Sequence, residues 1–479
     1  RLTSPTPLVH VQDWARTWAV PEILGIPAVA LNDDKLGRTL DAIAPHLEQI
    51  TSAVAVRAIT EFGIDISQLH WDMTSFSLHG AYGETDGDYP EPRYGHPKDR
   101  RPDLLQIQAG IAAAGDGGIP VYHRAYDGGA AEVSQVTGAM TALKKIAGTR
   151  TFLLIGDSKL ISYDNVAAIG GKGCTFLAPA SKTYVKAAEL AACRLPQATE
   201  VGYVAGRDGG RRPDQIGRWY VLEDDQPFEI RNSKRKTDPP IALRRIFVHS
   251  TARAGAAAAS RAKKLTRTSD DLDRLTRGLG GRFYPDQKAV TDRVRQITAA
   301  RKTGPYLCYT AGADPGTGKP TLTWHFGQDA IDAEAATDGW YALLTNLDAS
   351  ITASQVLLRY KGQEAVERRY GNLKGPLAVA PLFLKNNRRI AALITVISLA
   401  LLIFCLIERE ARRSLAPGTK VDGLYNRQPA RPTGRLILAA LASLRLIPAT
   451  ATTPAQITRP DTVQARLLEL LGVDPARPP

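Results

Sequence analysis

The chain has 479 residues, 44% of them hydrophobic and 23% charged. This composition excludes a disordered or fibrous protein, and the length is too great for one simple core, so two to four domains are expected. The 61 Lys and Arg against 48 Asp and Glu leave a net charge of +13, an excess that points to a polyanion: nucleic acid, or less often a membrane surface. Four cysteines, Cys174, Cys193, Cys308 and Cys405, show neither C-x-x-C spacing nor a short disulfide framework, and no H-E-x-x-H occurs. A structural zinc site is therefore not expected, and a reducing compartment is.

Residues 1–64 read as helical. In "DDKLGRTLDAIAPHLEQITSAVAVRAITEFG" the positions Leu36, Leu40, Ile43, Leu47, Ile50, Val54 and Val56 recur close to helical spacing, with Asp33 or Asp34 as the cap. This region is a small DNA-binding domain or a helical lead-in. From 65 to 181 the texture changes. "ISQLHWDMTSFSLHG", "DLLQIQAGIAA" and "GIPVYHRAY" predict a three-strand antiparallel meander with "GDGG" as a turn. A helix over "AAEVSQVTGAMTALKKIAG", a strand over "TFLLIGDSKL", a short helix over "DNVAAIGGKG" and a strand over "CTFLAPAS" follow. Three strands, helix, strand, helix, strand make a mixed α/β core.

Residues 182–335 read as a basic, β-rich insertion. Strands are predicted at "RWYVLED", "RRIFVHS", "GPYLCYTAGAD" and "KPTLTWHFG", with a helical run around "TSDDLDRLTRGL". Between Arg231 and Lys302 there are 19 Lys and Arg against 6 Asp and Glu, a surplus equal to that of the whole chain. "GADPGTGKP" imitates a phosphate-binding loop, but Ala313 stands where the first Gly belongs and Pro320 where Ser or Thr belongs, so a hairpin turn is expected. Core texture returns over 336–410, beginning with "ATDGWYALLTNL". Within it, Ile390 to Ile407 carries no charge and meets the lower length limit of a membrane span. Arg388 and Arg389 before it and Arg409, Arg412 and Arg413 after it give no orientation. Residues 411–479 form a Pro- and Arg-rich tail with two short amphipathic helices.

Three acids stand in settings suited to chemistry. Asp72 lies inside a strand pattern, where an ionised carboxylate must be paired or bind a cation. Asp157 ends the apolar strand "FLLIG". Glu367 lies in "RYKGQEAVERRYGNLK" (359–374), where Tyr360, Gln363, Glu367 and Lys374 fall within about 60° of one another on a helix, beside an apolar face of Val366, Tyr370, Leu373 and Leu377. Taken singly, each acid reads more often as a solvated or salt-bridged residue. Together, three carboxylates can hold two divalent cations through oxygen ligands.

The chain resembles the DDE transposases of bacterial insertion sequences, which have a ribonuclease H-like core. More narrowly it resembles the subgroup with a Tyr-x2-Arg-x3-Glu-x6-Lys signature and a β-rich insertion before the glutamate. Tyr360, Glu367 and Lys374 stand at that spacing, and Gln363 replaces the Arg, which removes a cation. "DMTSF", "YGHPKDRRPDL", "GDSKLISYDN" and "TDGWYALLTN" extend the similarity from about residue 20 to 410. The resemblance implies an α/β, ribonuclease H-like mixed-sheet core interrupted by a β-rich insertion, with helical N- and C-terminal segments. It implies Asp72, Asp157 and Glu367 as ligands of two Mg²⁺ or Mn²⁺ ions, with Glu364 the rival of Glu367. Tyr360, Gln363 and Lys374 become contacts to the DNA end, and the apolar segment a core helix with no membrane role. The expected activity is binding of terminal inverted repeats, phosphodiester hydrolysis and strand transfer by a homodimer or higher synaptic assembly on double-stranded DNA. The expected location is the bacterial cytoplasm, at the nucleoid. A transposase-like DNA-binding protein with a decayed core is the alternative.

Overall fold

The computed structural model describes residues 2, 3, 6–80, 82, 85–95, 101–363, 369, 371–374, 384 and 386–476. The chain divides into two compact units, residues 1–177 with 360–479, and residues 178–359.

The first unit opens with α1 (Val11–Thr17), α2 (Val20–Leu24), α3 (Asp33–Ile43) and α4 (Leu47–Glu61). The periodic run beginning at Leu36 is interrupted at Pro45, which has no N–H to continue the ladder, and a 3-10 turn over Ala44–His46 separates α3 from α4. The cap of α3 is Asn32 and not Asp33 or Asp34: its side-chain oxygen accepts the Lys35 N–H at 2.9 Å.

β1 (Gln68–Ser77), β2 (Gln106–Ala114) and β3 (Pro120–Tyr126) form the antiparallel meander that the alternation predicts. α5 (Glu132–Ala147), β4 (Leu153–Ile155), α6 (Tyr163–Gly170) and β5 (Thr175–Pro179) follow. β4 pairs parallel with β1 on one side and β5 on the other, so the order is β3-β2-β1-β4-β5. All three residues of β4 are buried, as a parallel strand covered on both faces requires. A meander followed by parallel strands reached through helices is the ribonuclease H-like arrangement.

The apolar helix Asn387–Arg413 is long and apolar enough to cross a membrane. Here it packs on β3, α3 and α4. Ile390, Ala392, Ile397, Leu401 and Cys405 are fully buried. Its flanking arginines are taken up inside the same unit. Arg388 and Arg389 pair with Asp41 at 3.2 and 2.7 Å, Arg409 with Asp116 at 2.5 Å, and Arg412 with Glu408 at 2.6 Å. The Arg389 hydrogen bond holds the Asp41 carboxyl below its ordinary range. At Asp116 burial works upward, and the Arg409 guanidinium outweighs it.

The "GDGG" turn between β2 and β3 seats two of these charges. Gly117 and Gly118 have φ of 77° and 63°, where a side chain is strained. A Cβ on Gly118 would lie 2.7 Å from Arg369 Nε, and one on Gly117 3.0 Å from Arg409 Cδ. Arg369 donates to the Gly118 carbonyl at 3.1 Å and to that of Gly117, and it pairs with Glu408 at 3.3 Å. The tail adds a hairpin, Val421–Tyr425 with Gln428–Ala430, and helices Gly434–Leu441 and Thr462–Leu470 over a small core of Val421, Leu424, Ile437 and Leu467.

The second unit contains α7 (Ala187–Ala192), β6 (Thr199–Val201), β7 (Trp219–Glu223), β8 (Phe228–Ile230), β9 (Ile241–Ser250), α8 (Thr251–Arg277), α9 (Gln287–Arg301), β10 (Leu307–Ala313), β11 (Pro320–Phe326), α10 (Gln328–Ala335) and β12 (Trp340–Thr345). α11 (Ala353–Lys361) runs across its boundary at 359. The strands order as β12-β9-β7-β6, with β8 on β9. β10 and β11 form a hairpin that starts from the Ala313–Pro320 pair, so "GADPGTGKP" is its turn. The helical run expected around residues 268–279 is the end of a longer helix. α8 begins at Thr251 because "ARAGAAAAS" is rich in the strongest helix former, and Ser250 caps it.

Candidate active site

The site lies at the point where β4 ends beside β1. Their parallel register pairs Gln68 with Leu153, Leu69 with Leu154 and His70 with Ile155. The same offset aligns Asp72 with Asp157, two residues beyond the last pair. The chain continues along β1 there, since a Cβ on Gly156 would sit 3.4 Å from the Trp71 carbonyl oxygen. Adjacent strands lie about 4.8 Å apart and side chains alternate, so aligned residues project on one face as neighbours. Two carboxylates distant in the chain thereby fall at the carboxyl end of a parallel strand, the usual position of a site in a sheet of this kind, and both lie near enough to Glu132 to act on its carboxyl.

Both acids are half-buried. Asp157 caps a 3-10 turn over Ser158–Leu160, accepting the Lys159 N–H at 2.8 Å, and Asp72 accepts the Met73 N–H at 2.8 Å. His70 lies on the same strand face as Asp72. Burial pushes its pKa down to about 4, so it is neutral at pH 7 and supplies no counter-charge.

Two residues that the sequence reading does not single out complete the surroundings. Glu132 opens α5, with its side chain 5% exposed, and pairs with Lys159 at 3.1 Å. Burial, then the nearby charges of Asp157 and Asp72, raise the Glu132 carboxyl above its ordinary range, with Lys159 opposing them. Burial works downward on the Lys159 ammonium, and the bond to Glu132 and the surrounding carboxylates lift it. The loop before α5 is held in place: Gln106 donates to the Gly128 carbonyl at 2.7 Å, and Gln108 to the Gly128 and Ala130 carbonyls at 3.1 and 2.8 Å. Only glycine fits at 128, where a Cβ would lie 2.0 Å from the Gln106 carbonyl oxygen. The one hint of this pair in the sequence is a Lys two residues after Asp157.

Lys374 Nζ lies 5.4 Å from the centre of the Phe76 ring. Phe76 shares its strand face with Asp72, so Lys374 stands on the acid side of β1. Tyr360 lies near the end of α11, and its carbonyl accepts the Gln363 N–H at 3.1 Å. Gln363 Oε1 is buried, with no hydrogen-bond partner among the described residues. Glu367 and its rival Glu364 lie outside the described residues. Among the described residues no three His, Cys, Asp or Glu side chains converge to hold a metal. Asp72 and Asp157 supply hard oxygen donors of the kind Mg²⁺ takes, as part of a ligand set.

The second unit carries the basic surface. One side of α8 packs Leu272 and Leu275 against Val290, Val294 and Ile297 of α9 and Leu322 of β11. On the opposite side Lys263, Arg267, Arg274 and Arg277 recur at helical spacing and are exposed, with Asp270 and Asp273 among them. Among the described residues Lys263, Arg267 and Arg277 form no ion pair, whereas Arg261 is buried against Asp338 and Arg301 pairs with Asp271 at 2.8 Å.

No described protein family and no curated protein matches the chain. Among solved structures it is similar to a Mos1 transposase paired-end complex with left transposon end, at 8% identity and a TM-score of 0.17, over 36% of this chain and 58% of that chain. The chain therefore spans less than two thirds of that neighbour, and a likeness of this size shows no family.

Proposed function

We propose that the chain is a DDE-type DNA transposase that binds the terminal inverted repeats of an insertion sequence, hydrolyses a phosphodiester at each end and joins the freed 3′-hydroxyl to target DNA. The observation that carries this reading is the register that aligns Asp72 with Asp157 at the end of β4. With Glu367 as the third carboxylate, these residues would hold two Mg²⁺ or Mn²⁺ ions. Such ions, when bound, activate a water or hydroxyl and stabilise the leaving oxygen.

The chain's own part is positioning. The strand ends hold the two carboxylates on one face, and Lys374 places a cation on that face. Tyr360 and Gln363 precede the glutamate and contact the DNA end. The exposed row on α8 binds backbone phosphates, which orient the duplex without reading its sequence. Two ends must be synapsed, so the working form is a homodimer or a larger assembly, in the bacterial cytoplasm.

The test is cleavage of a duplex carrying the DNA that flanks the gene, in Mg²⁺ or Mn²⁺. Metal-dependent nicking at the element end, lost in Asp72→Ala and Asp157→Ala, is the expected result. Tight binding with no cleavage in either metal would overturn it and leave the second reading, a DNA-binding protein with a decayed core, which Gln363 in place of the signature Arg favours.

A further inference from the structure

We propose that a cleft beside the acid pair receives a phosphodiester of the DNA end, with Lys159 touching the phosphate and Glu132 acting as the positioning residue that aims it. This rests on the transposase reading above. β4 ends at Ile155 while β1 runs on to Ser77, so beyond Asp72 the side of β1 that β4 flanked opens onto a cavity. The cavity measures about 490 Å³, and Met73, Thr74, Ser75, Gln108, Glu132 and Lys159 are among its lining residues. Its size lies in the range of clefts that hold small ligands. Neither acid lines the cavity itself; Met73 follows Asp72 in β1, Lys159 follows Asp157 by two residues, and the lining Glu132 feels the charges of both acids.

Glu132 is the unusual member. Its side chain is 95% buried, by the 5% exposure above; one oxygen holds Lys159 at 3.1 Å, and Oε1 is buried with no hydrogen-bond partner among the described residues. A buried carboxylate oxygen left without a donor is costly, and the fold gains nothing from it that Gln would not supply. What Glu provides and Gln does not is a fixed negative charge behind an ammonium. Lys159 has three N–H donors, and its side chain is 58% exposed. Held from behind by Glu132, it directs its remaining donors into the cleft, where a phosphate is the anion DNA offers. Asp72, Asp157 and Glu132 against Lys159 leave the site negative, so the phosphate enters only when divalent cations offset the acids.

The experiment labels the full chain with a lysine-acylating reagent in Ca²⁺, with and without a short mixed-sequence duplex, and reads each lysine by peptide mass spectrometry. The duplex is expected to protect Lys159 several-fold and to leave Lys145, exposed on the same unit, unchanged. Protection should vanish on chelation. Equal labelling of Lys159 in both conditions, in a chain whose cleavage depends on Asp72 and Asp157, overturns this proposal and leaves the transposase reading standing. Equal labelling without any cleavage removes both.

A double-mutant cycle tests the division of roles. Lys159→Met should lower cleavage about ten- to a hundredfold, Glu132→Gln by less, and the double variant no more than Lys159→Met alone. Additive losses would mean that Glu132 does not act through Lys159.

Discussion

The two units use charge in opposite ways. In the first, Arg369, Arg409 and Glu408 are each less than a tenth exposed and locked in ion pairs that join the "GDGG" turn to the apolar helix. In the second, Arg244, Arg245 and Arg261 are paired close to the sheet, while Lys263, Arg267 and Arg277 are left in solvent on α8. Both units are rich in arginine, and the buried arginines described in each are paired, while α8 of the second keeps three exposed cations without an ion pair among the described residues. The difference teaches that burial decides what an arginine does: beneath the surface it must meet a carboxylate, and on an exposed helix face it need not. In the first unit the buried arginines are structural, each tied to a carboxylate of the same unit.

This contrast can be broken at several points. The largest effect is expected at the acid pair: Asp72→Ala or Asp157→Ala should lower cleavage more than about a thousandfold while the fluorescence-anisotropy affinity for DNA is retained. Loss of binding in parallel would mean that the acids hold the fold and not the reaction. Next is the buried clamp. Glu408→Ala leaves Arg369 and Arg412 without their carboxylate and should cost about 3–5 kcal/mol in urea unfolding, with no change in the salt dependence of DNA binding.

The third concerns pH. Burial depresses His70 and His123 to about 4 from an ordinary 6.5. The unfolded chain therefore takes up the proton first. Their contribution is fully present above pH 6.5 and is lost as pH falls towards 4, up to about 3 kcal/mol for each. His123→Gln should flatten the fall in unfolding midpoint between pH 7 and 5; an unchanged slope would exclude His123 as its source. The smallest effect belongs to the exposed row: Lys263→Ala, Arg267→Ala and Arg277→Ala together should reduce the slope of log affinity against log salt by about 2 to 3, equally for all DNA sequences. A loss confined to one sequence would turn this surface from a backbone contact into a reader of bases.

Much of the first unit was legible. Alternation located β1, β2 and β3, and a short apolar run ending in an acid located β4 and Asp157, because side-chain period and strand burial leave direct marks on a sequence. The long helix α8 was seen only at its charged end, since an alanine run has propensity but no apolar face. The partnership of Glu132 with Lys159 spans 27 residues, and that of Arg369 with the Gly118 carbonyl spans 251. Neither leaves a local pattern, because each depends on which elements the sheet makes neighbours.

By itself, then, the sequence determined the mixed α/β class, the positions of β1 to β5 and the basic stretch, since periodicity, composition and breaker residues act over a few neighbouring positions. Only the tertiary structure decided that the apolar helix is buried among ion-paired arginines, that Asp72 and Asp157 share one register, and that a buried glutamate stands behind Lys159. Those outcomes depend on strand order and on which charges burial allows to meet, and both are properties of the assembled chain.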